Sequence, residues 1–159
     1  MLKPSPFLAL LVFTISMRCG SALADRACPE GPAPQARAVV AVVAPAPADP
    51  VAYRLAAARH IYEAYPGCVL HGKLPRVISA AVLVNLAVDK DGSVRHIRFL
   101  RVPPEMPTAS TTIRRMIDRI SPFPTSSAVG TELIAFNEVW VFDEEGRFQL
   151  GALTEGPME

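Results

Sequence analysis

AVDKDGSVRHI, residues 87 to 97, is the stretch whose reading decides the fold. Asp89, Asp91 and Gly92 match the opening of a calcium-binding loop, and they equally match a tight turn between two strands. A calcium loop needs about five oxygen-donating positions over roughly 12 residues, a closing bidentate Glu and flanking helices. Here Val94 and Ile97 stand where ligands should continue, no Glu closes the loop, and the flanks are β-branched. Asp and Gly are also the residues that adopt the positive φ angles of hairpin turns. We therefore read Asp89, Asp91 and Gly92 as a hairpin turn, with no metal or other cofactor.

Working outward, ISAAVLVNLAV at 78–88 is almost wholly apolar. It reads as a strand covered on both faces, or as one with an Ala-rich second face. SVRHIRFLRV at 93–102 reads as the second strand. Ile97 and Phe99 share a face while Val94 has the opposite parity, so a bulge near Arg95–His96 is expected. PPEMP breaks the chain. Ile113, Met116, Ile117 and Ile120 then recur at helical spacing, behind the cap candidates Thr108 and Ser110. SPFP ends that helix, and TELIAFNEVWVFD at 131–143 is a third strand. EEGR is a turn, and FQL would add a short fourth strand.

Upstream, Asp49 and Pro50 suit the cap and first position of a helix. Val51, Leu55, Ala58, Tyr62 and Tyr65 would form its apolar stripe, and Pro66–Gly67 would end it. The expected fold is α+β: a small antiparallel sheet of three strands plus a short fourth, with two helices packed on one face. The expected boundaries are a signal peptide over 1–24, a Pro/Ala-rich flexible linker over 25–50, the α+β domain over 51–152 and a tail over 153–159.

The leader reading rests on Lys3, the apolar run from Pro6 to Ile15, and Ala22 and Ala24 at a cleavage site after Ala24. That run is shorter than the roughly 20 apolar residues a membrane span needs. Export into an oxidising space would leave Cys28 and Cys68, which can then pair. Whether they do is open from sequence, because a bridge needs Cα atoms within roughly 7 Å.

The net charge of +1 argues against nucleic acid as a partner. His60, His71 and His96 are scattered, and no compact set of four ligands suggests structural zinc. Cys68 with His71 is the one pairing that invites a cysteine-nucleophile reading, yet no orienting third group is evident. No hydrolase elbow or phosphate loop occurs. Arg95, Arg98, Arg101, Arg114, Arg115 and Arg119 form a basic cluster over the second strand and second helix, either a solvated face or a patch for an anionic partner.

The ordered set VLVNLAVDKDGSVRHIRFLRVP, then a helix, then SPFP, then a closing aromatic strand resembles the TonB C-terminal domain. The match runs over about residues 77–143. The resemblance implies a non-catalytic periplasmic adaptor, an energy-transducer relative in transmembrane transport, whose partner is a protein or peptide such as an outer-membrane transporter. It also implies β-augmentation along the third strand, at Phe136, Asn137, Val139 and Val141. The EEGRFQL hairpin follows that strand and could cover its edge. A homodimer, membrane contact through a retained leader, a structural envelope role, and an enzyme using Cys68 and His71 stay open beside it. If the leader is removed as read, the intact mass of the protein from an envelope fraction corresponds to a chain starting at Asp25. A mass that includes Met1 to Ala24 would show a retained anchor.

Overall fold

The computed structural model describes residues 49–74, 76–127 and 133–156. The leader, most of the Pro/Ala-rich segment, Cys28 and the last three residues of the tail lie outside them. The elements run α1 (Pro50–Ala64), β1 (Ala80–Val88), β2 (Val94–Arg101), α2 (Ala109–Ile120), β3 (Ile134–Phe142) and β4 (Phe148–Leu150). Short 3-10 turns follow α1 and β4. The sheet order is β2-β1-β3-β4, antiparallel throughout. The four-stranded α+β architecture agrees with the sequence expectation.

β1 and β3 pair one-for-one from Ala80 opposite Phe142 to Val88 opposite Ile134. Their even-numbered side chains enter the core: Val82, Val84, Leu86 and Val88 from β1, and Ile134, Phe136, Trp140 and Phe142 from β3. The other face of β1 carries Ala81, Leu83, Asn85 and Ala87, the Ala-rich alternative. The expected bulge is present. Ala87 faces His96 and Val88 faces Val94, so Arg95 is the extra residue. A second shift, at Leu100, lies between the pairs Val84–Phe99 and Leu83–Arg101. These shifts bring Val94, Ile97 and Phe99 onto the helix-covered face, where they pack against the core.

α2 buries Ile113, Met116, Ile117 and Ile120, the stripe read from its spacing. Thr108 is its cap residue but makes no side-chain cap bond. α1 begins as expected, with Asp49 Oδ2 accepting from Ala52 N–H at 2.8 Å. Its buried face overlaps the expected stripe at Ala58 and Tyr65, with Tyr62 packed against the core, but is rotated towards Tyr53, Ala57 and Ile61. Tyr53, Ala57, Ala58 and Ile61 are inside, whereas Val51 is 71% exposed. Alanines on several sides make this helix nearly isotropic in hydrophobicity, so periodicity does not choose its rotation. Polar contacts of α1 choose it: Tyr53 Oη donates to Pro124 O at 2.7 Å, and Tyr65 Oη to Met116 O at 2.9 Å. Arg54 adds a third contact, to β3.

Both hairpins are built by one device. In the first, Asp89 N–H donates to Ser93 O, Gly92 N–H to Asp89 O, and Ser93 N–H to Asp89 Oδ1. In the second, Asp143 N–H donates to Arg147 O, Gly146 N–H to Asp143 O, and Arg147 N–H to Asp143 Oδ1. Gly92 and Gly146 hold φ of 83° and 79°, the left-handed position such three-residue loops require.

The first hairpin is also docked. Phe123 N–H donates to Gly92 O at 2.8 Å, and Ser126 N–H to Lys90 O at 2.9 Å. A Cβ on Gly92 would overlap the Phe123 carbonyl oxygen. The turn and the segment after α2 are thus two halves of one contact. Gly92→Ala should therefore cost at least about 2 kcal/mol in chemical denaturation, from positive-φ strain plus displacement of Phe123. Gly67→Ala, where a Cβ meets nothing within 4 Å, is the matched control and should stay within about 1 kcal/mol of the parent.

Candidate functional site: an unpaired strand edge

A four-stranded sheet has two outer edges, and here they are treated differently. β4's outer edge is closed by the segment after α1. Val69 bridges Phe148, Leu70 N–H donates to Phe148 O at 2.8 Å, and Gln149 Nε2 donates to Gly72 O at 2.6 Å. β2's outer edge has no strand beside it among the described residues.

Backbone alternation shows which groups that edge offers. Ser79 N–H donates to Phe142 O, and Asp143 N–H donates to Arg147 O. Even-numbered β3 residues therefore bond towards β1, and odd-numbered ones towards β4. Through the one-for-one register, odd-numbered β1 residues bond towards β2, opposite His96, Arg98 and Arg101. Ile97 and Phe99 then turn their N–H and C=O groups outward. Arg114 agrees, because its Nη2 reaches Ile97 O from α2 at 3.3 Å while its guanidinium lies 5.6 Å from the Phe99 ring centroid.

Of the third-strand residues expected at a peptide-binding edge, Phe136, Val139 and Val141 are engaged within the fold. β3 is an inner strand. Phe136 is buried on the helix side opposite Leu86, and Val141 is paired with Gln149. Val139 N–H is taken by Glu138 Oε1 at 2.9 Å. Asn137 remains exposed, its amide oxygen accepting from Asn85 Nδ2 at 2.8 Å. The EEGRFQL hairpin thus covers the upper part of β3. Below it, only the backbone of Ala135 and Asn137 faces outward without a neighbouring strand among the described residues.

Glu138 closes the junction between covered and uncovered β3. Its carboxylate is 1% exposed and accepts from Arg54 Nε and Nη2, from Val139 N–H and from Ala152 N–H. Sequence reading missed this residue. The available signal was an acid at core parity, between Phe136 and Trp140.

The remaining candidates are dispersed. His60 Nε2 lies 2.9 Å from Ile120 O, and its ring packs on Phe123. His71 stands edge-on to Tyr62, and His96 is exposed on β2. Cys68 is disulfide-bonded, so in this state it carries no thiolate for His71 to activate. Cys28, the expected partner, lies outside the described residues. Among the described residues no group of three or more His, Cys, Asp or Glu is placed to hold a metal.

Burial pushes the Tyr53 hydroxyl up to about 12, with the nearby Asp89 charge adding to it, so it remains a donor at neutral pH. Asp89 sits below the ordinary carboxylate range. Desolvation raises it, but the N–H groups of Ser93 and Asp91 and the Arg95 side chain together outweigh that. Its two oxygens are occupied by those donors, with Arg95 Nε at 2.8 Å from Oδ2.

A carboxylate lowered in the folded state adds stability above its unfolded value and loses it as pH falls through the folded value. The melting temperature should therefore drop below about pH 4, and Asp89→Asn should flatten that part of the profile. Calcium or a chelator should leave the melting temperature unchanged; a rise with calcium would restore the metal reading. Compared with models of protein families, with curated proteins and with solved structures, the chain finds no match.

Proposed function

We propose that this chain is a non-catalytic binding module that accepts an extended segment of a partner protein by strand addition. We further propose that it works as an exported adaptor of the TonB C-terminal type. The observation that carries the binding reading is the β2 edge, eight residues long and without a neighbouring strand among the described residues, in a sheet whose β4 edge is closed. Outward amides such as those of Ile97 and Phe99 are what an added strand bonds to. The rigid support is β1, which pairs along its whole length with β3. The adaptor role rests on the D-x-D-G turn, the SPFP element and the aromatic closing strand, together with the leader. No helix among the described residues is long and apolar enough to cross a membrane.

Strand addition makes a residue-level prediction. A bound extended peptide should slow hydrogen exchange at the Ile97 and Phe99 amides, which are otherwise open to solvent. Protection at Ala135 and Asn137 instead would place the partner on the lower half of β3, the edge the family resemblance implies. Protection at neither, with binding detected elsewhere, would end the strand-addition reading.

A further inference from the structure

We propose that the β2 edge is selective for an acidic extended peptide, with carboxylates placed to meet Arg98, Arg101 and Arg114. This deepens the strand-addition reading and rests on it. Val94–Arg101 contains no Asp or Glu, and its arginines are exposed. Arg98 lies opposite Asn85 and Arg101 opposite Leu83. The Leu100 bulge brings both onto the sheet face that no helix covers. Arg95 is committed to Asp89 in an ion pair with Nη2 at 2.6 Å. Arg98 and Arg101 form no ion pair among the described residues.

On the helix-covered side the edge is flanked by Arg114. Its 3.3 Å bond to Ile97 O occupies the outward carbonyl that an added strand would use. An incoming backbone N–H would take that carbonyl, and the released guanidinium would turn to a carboxylate of the same peptide. Arg115 and Arg119 share the adjoining shallow depression with Arg114, and Asp118 is its one acid. Side chains of an added strand alternate between the two faces. Acids facing the open side would meet Arg98 and Arg101, and one of opposite parity would meet Arg114. A second copy fits poorly. Pairing two β2 edges would align Arg95, Arg98 and Arg101 of both along one seam, with no β2 acid to balance them.

The test uses the full chain and three soluble Thr-based peptides of about nine residues, each with Glu, Lys or Ser at alternate positions and at one position of the opposite parity. The Glu peptide should bind about tenfold or more tighter than the Ser peptide, and the Lys peptide weakest. Its binding should weaken between about 0.15 and 1 M salt, and it should protect the Ile97 and Phe99 amides. The double substitution R98E/R101E should reverse the order of Glu and Lys peptides. R114Q, an exposed single change, should lower Glu-peptide affinity alone, and serves if the double variant does not fold.

Equal binding of Glu and Ser peptides at those amides would overturn the acidic preference while leaving strand addition intact. Failure of all three peptides to protect them would overturn the β2-edge proposal, and with no protection at Ala135 and Asn137 either it would overturn strand addition as well. Tighter binding of poly-uridine RNA or of phosphatidylserine vesicles, lost in R98E/R101E, would overturn the proposal in favour of a general polyanion surface. Concentration-dependent self-association that protects the same amides without peptide would overturn it in favour of a second copy.

Discussion

One buried carboxylate joins three parts of this molecule. Glu138 stands on the core face of β3, where its neighbours in the strand are aromatic, and it is almost completely withdrawn from water. Such a position is tolerable only because every approach to it carries a donor. Arg54 of α1 supplies a bidentate pair, and the Val139 and Ala152 amides supply the rest. Breaking a buried pair from one side typically costs about 3–5 kcal/mol, because the abandoned charge stays desolvated. Hydrophobicity is spread almost evenly around α1, so this contact also helps fix its rotation. The turn at Gly151–Leu153, after β4, is held by the same group.

That arrangement bears on where a partner can bind. β4 is three residues long and ends opposite Trp140. Beyond it the next outward amide of β3 belongs to Val139, and Glu138 occupies it internally. On this side the covered part of the sheet therefore ends at a side chain, with Ala135 and Asn137 open below it; on the other side no strand lies beside β2's outer edge among the described residues. Arginine side chains on an edge strand commonly serve to discourage pairing with identical chains. The same charges favour a strand of opposite sign, so protection and the proposed recognition come from one set of residues.

Much of the architecture was legible because it depended on local chemistry. The Asp89–Gly92 turn, the opposite parity of Val94 and the stripe on α2 each follow from a short window, and each has its expected place. Less is legible where the deciding contact is remote in sequence. The buried face of α1 is legible only in part, at Ala58, Tyr62 and Tyr65, because Ala-rich turns carry little directional information. Its true face depends on partners beyond residue 115. Which strand lies at an edge is not legible either, because neighbour order within a sheet is not a local property. A three-residue β4 plus the Val69–Leu70 segment is enough to cover the upper half of β3. Glu138 was passed over because nothing nearby in sequence reveals Arg54 as its partner.

The closed edge next to Cys68 has a mechanical consequence. Cys68 is cross-linked, and the segment directly after it is bonded to β4. β2 lies at the far side of the sheet. Beside the covalent path from Cys68 to β1, a load between a strand added at β2 and the cross-link would cross the β1–β2, β1–β3 and β3–β4 ladders in turn and then the Val69–Phe148 contact. The single Val69–Phe148 bridge would be the weakest backbone link in that route, followed by the β3–β4 ladder with three residue pairs. The Arg54–Glu138 bond runs parallel to it and shares the load through α1. The molecule has the layout of a tension member with a reinforced joint beside its thinnest section.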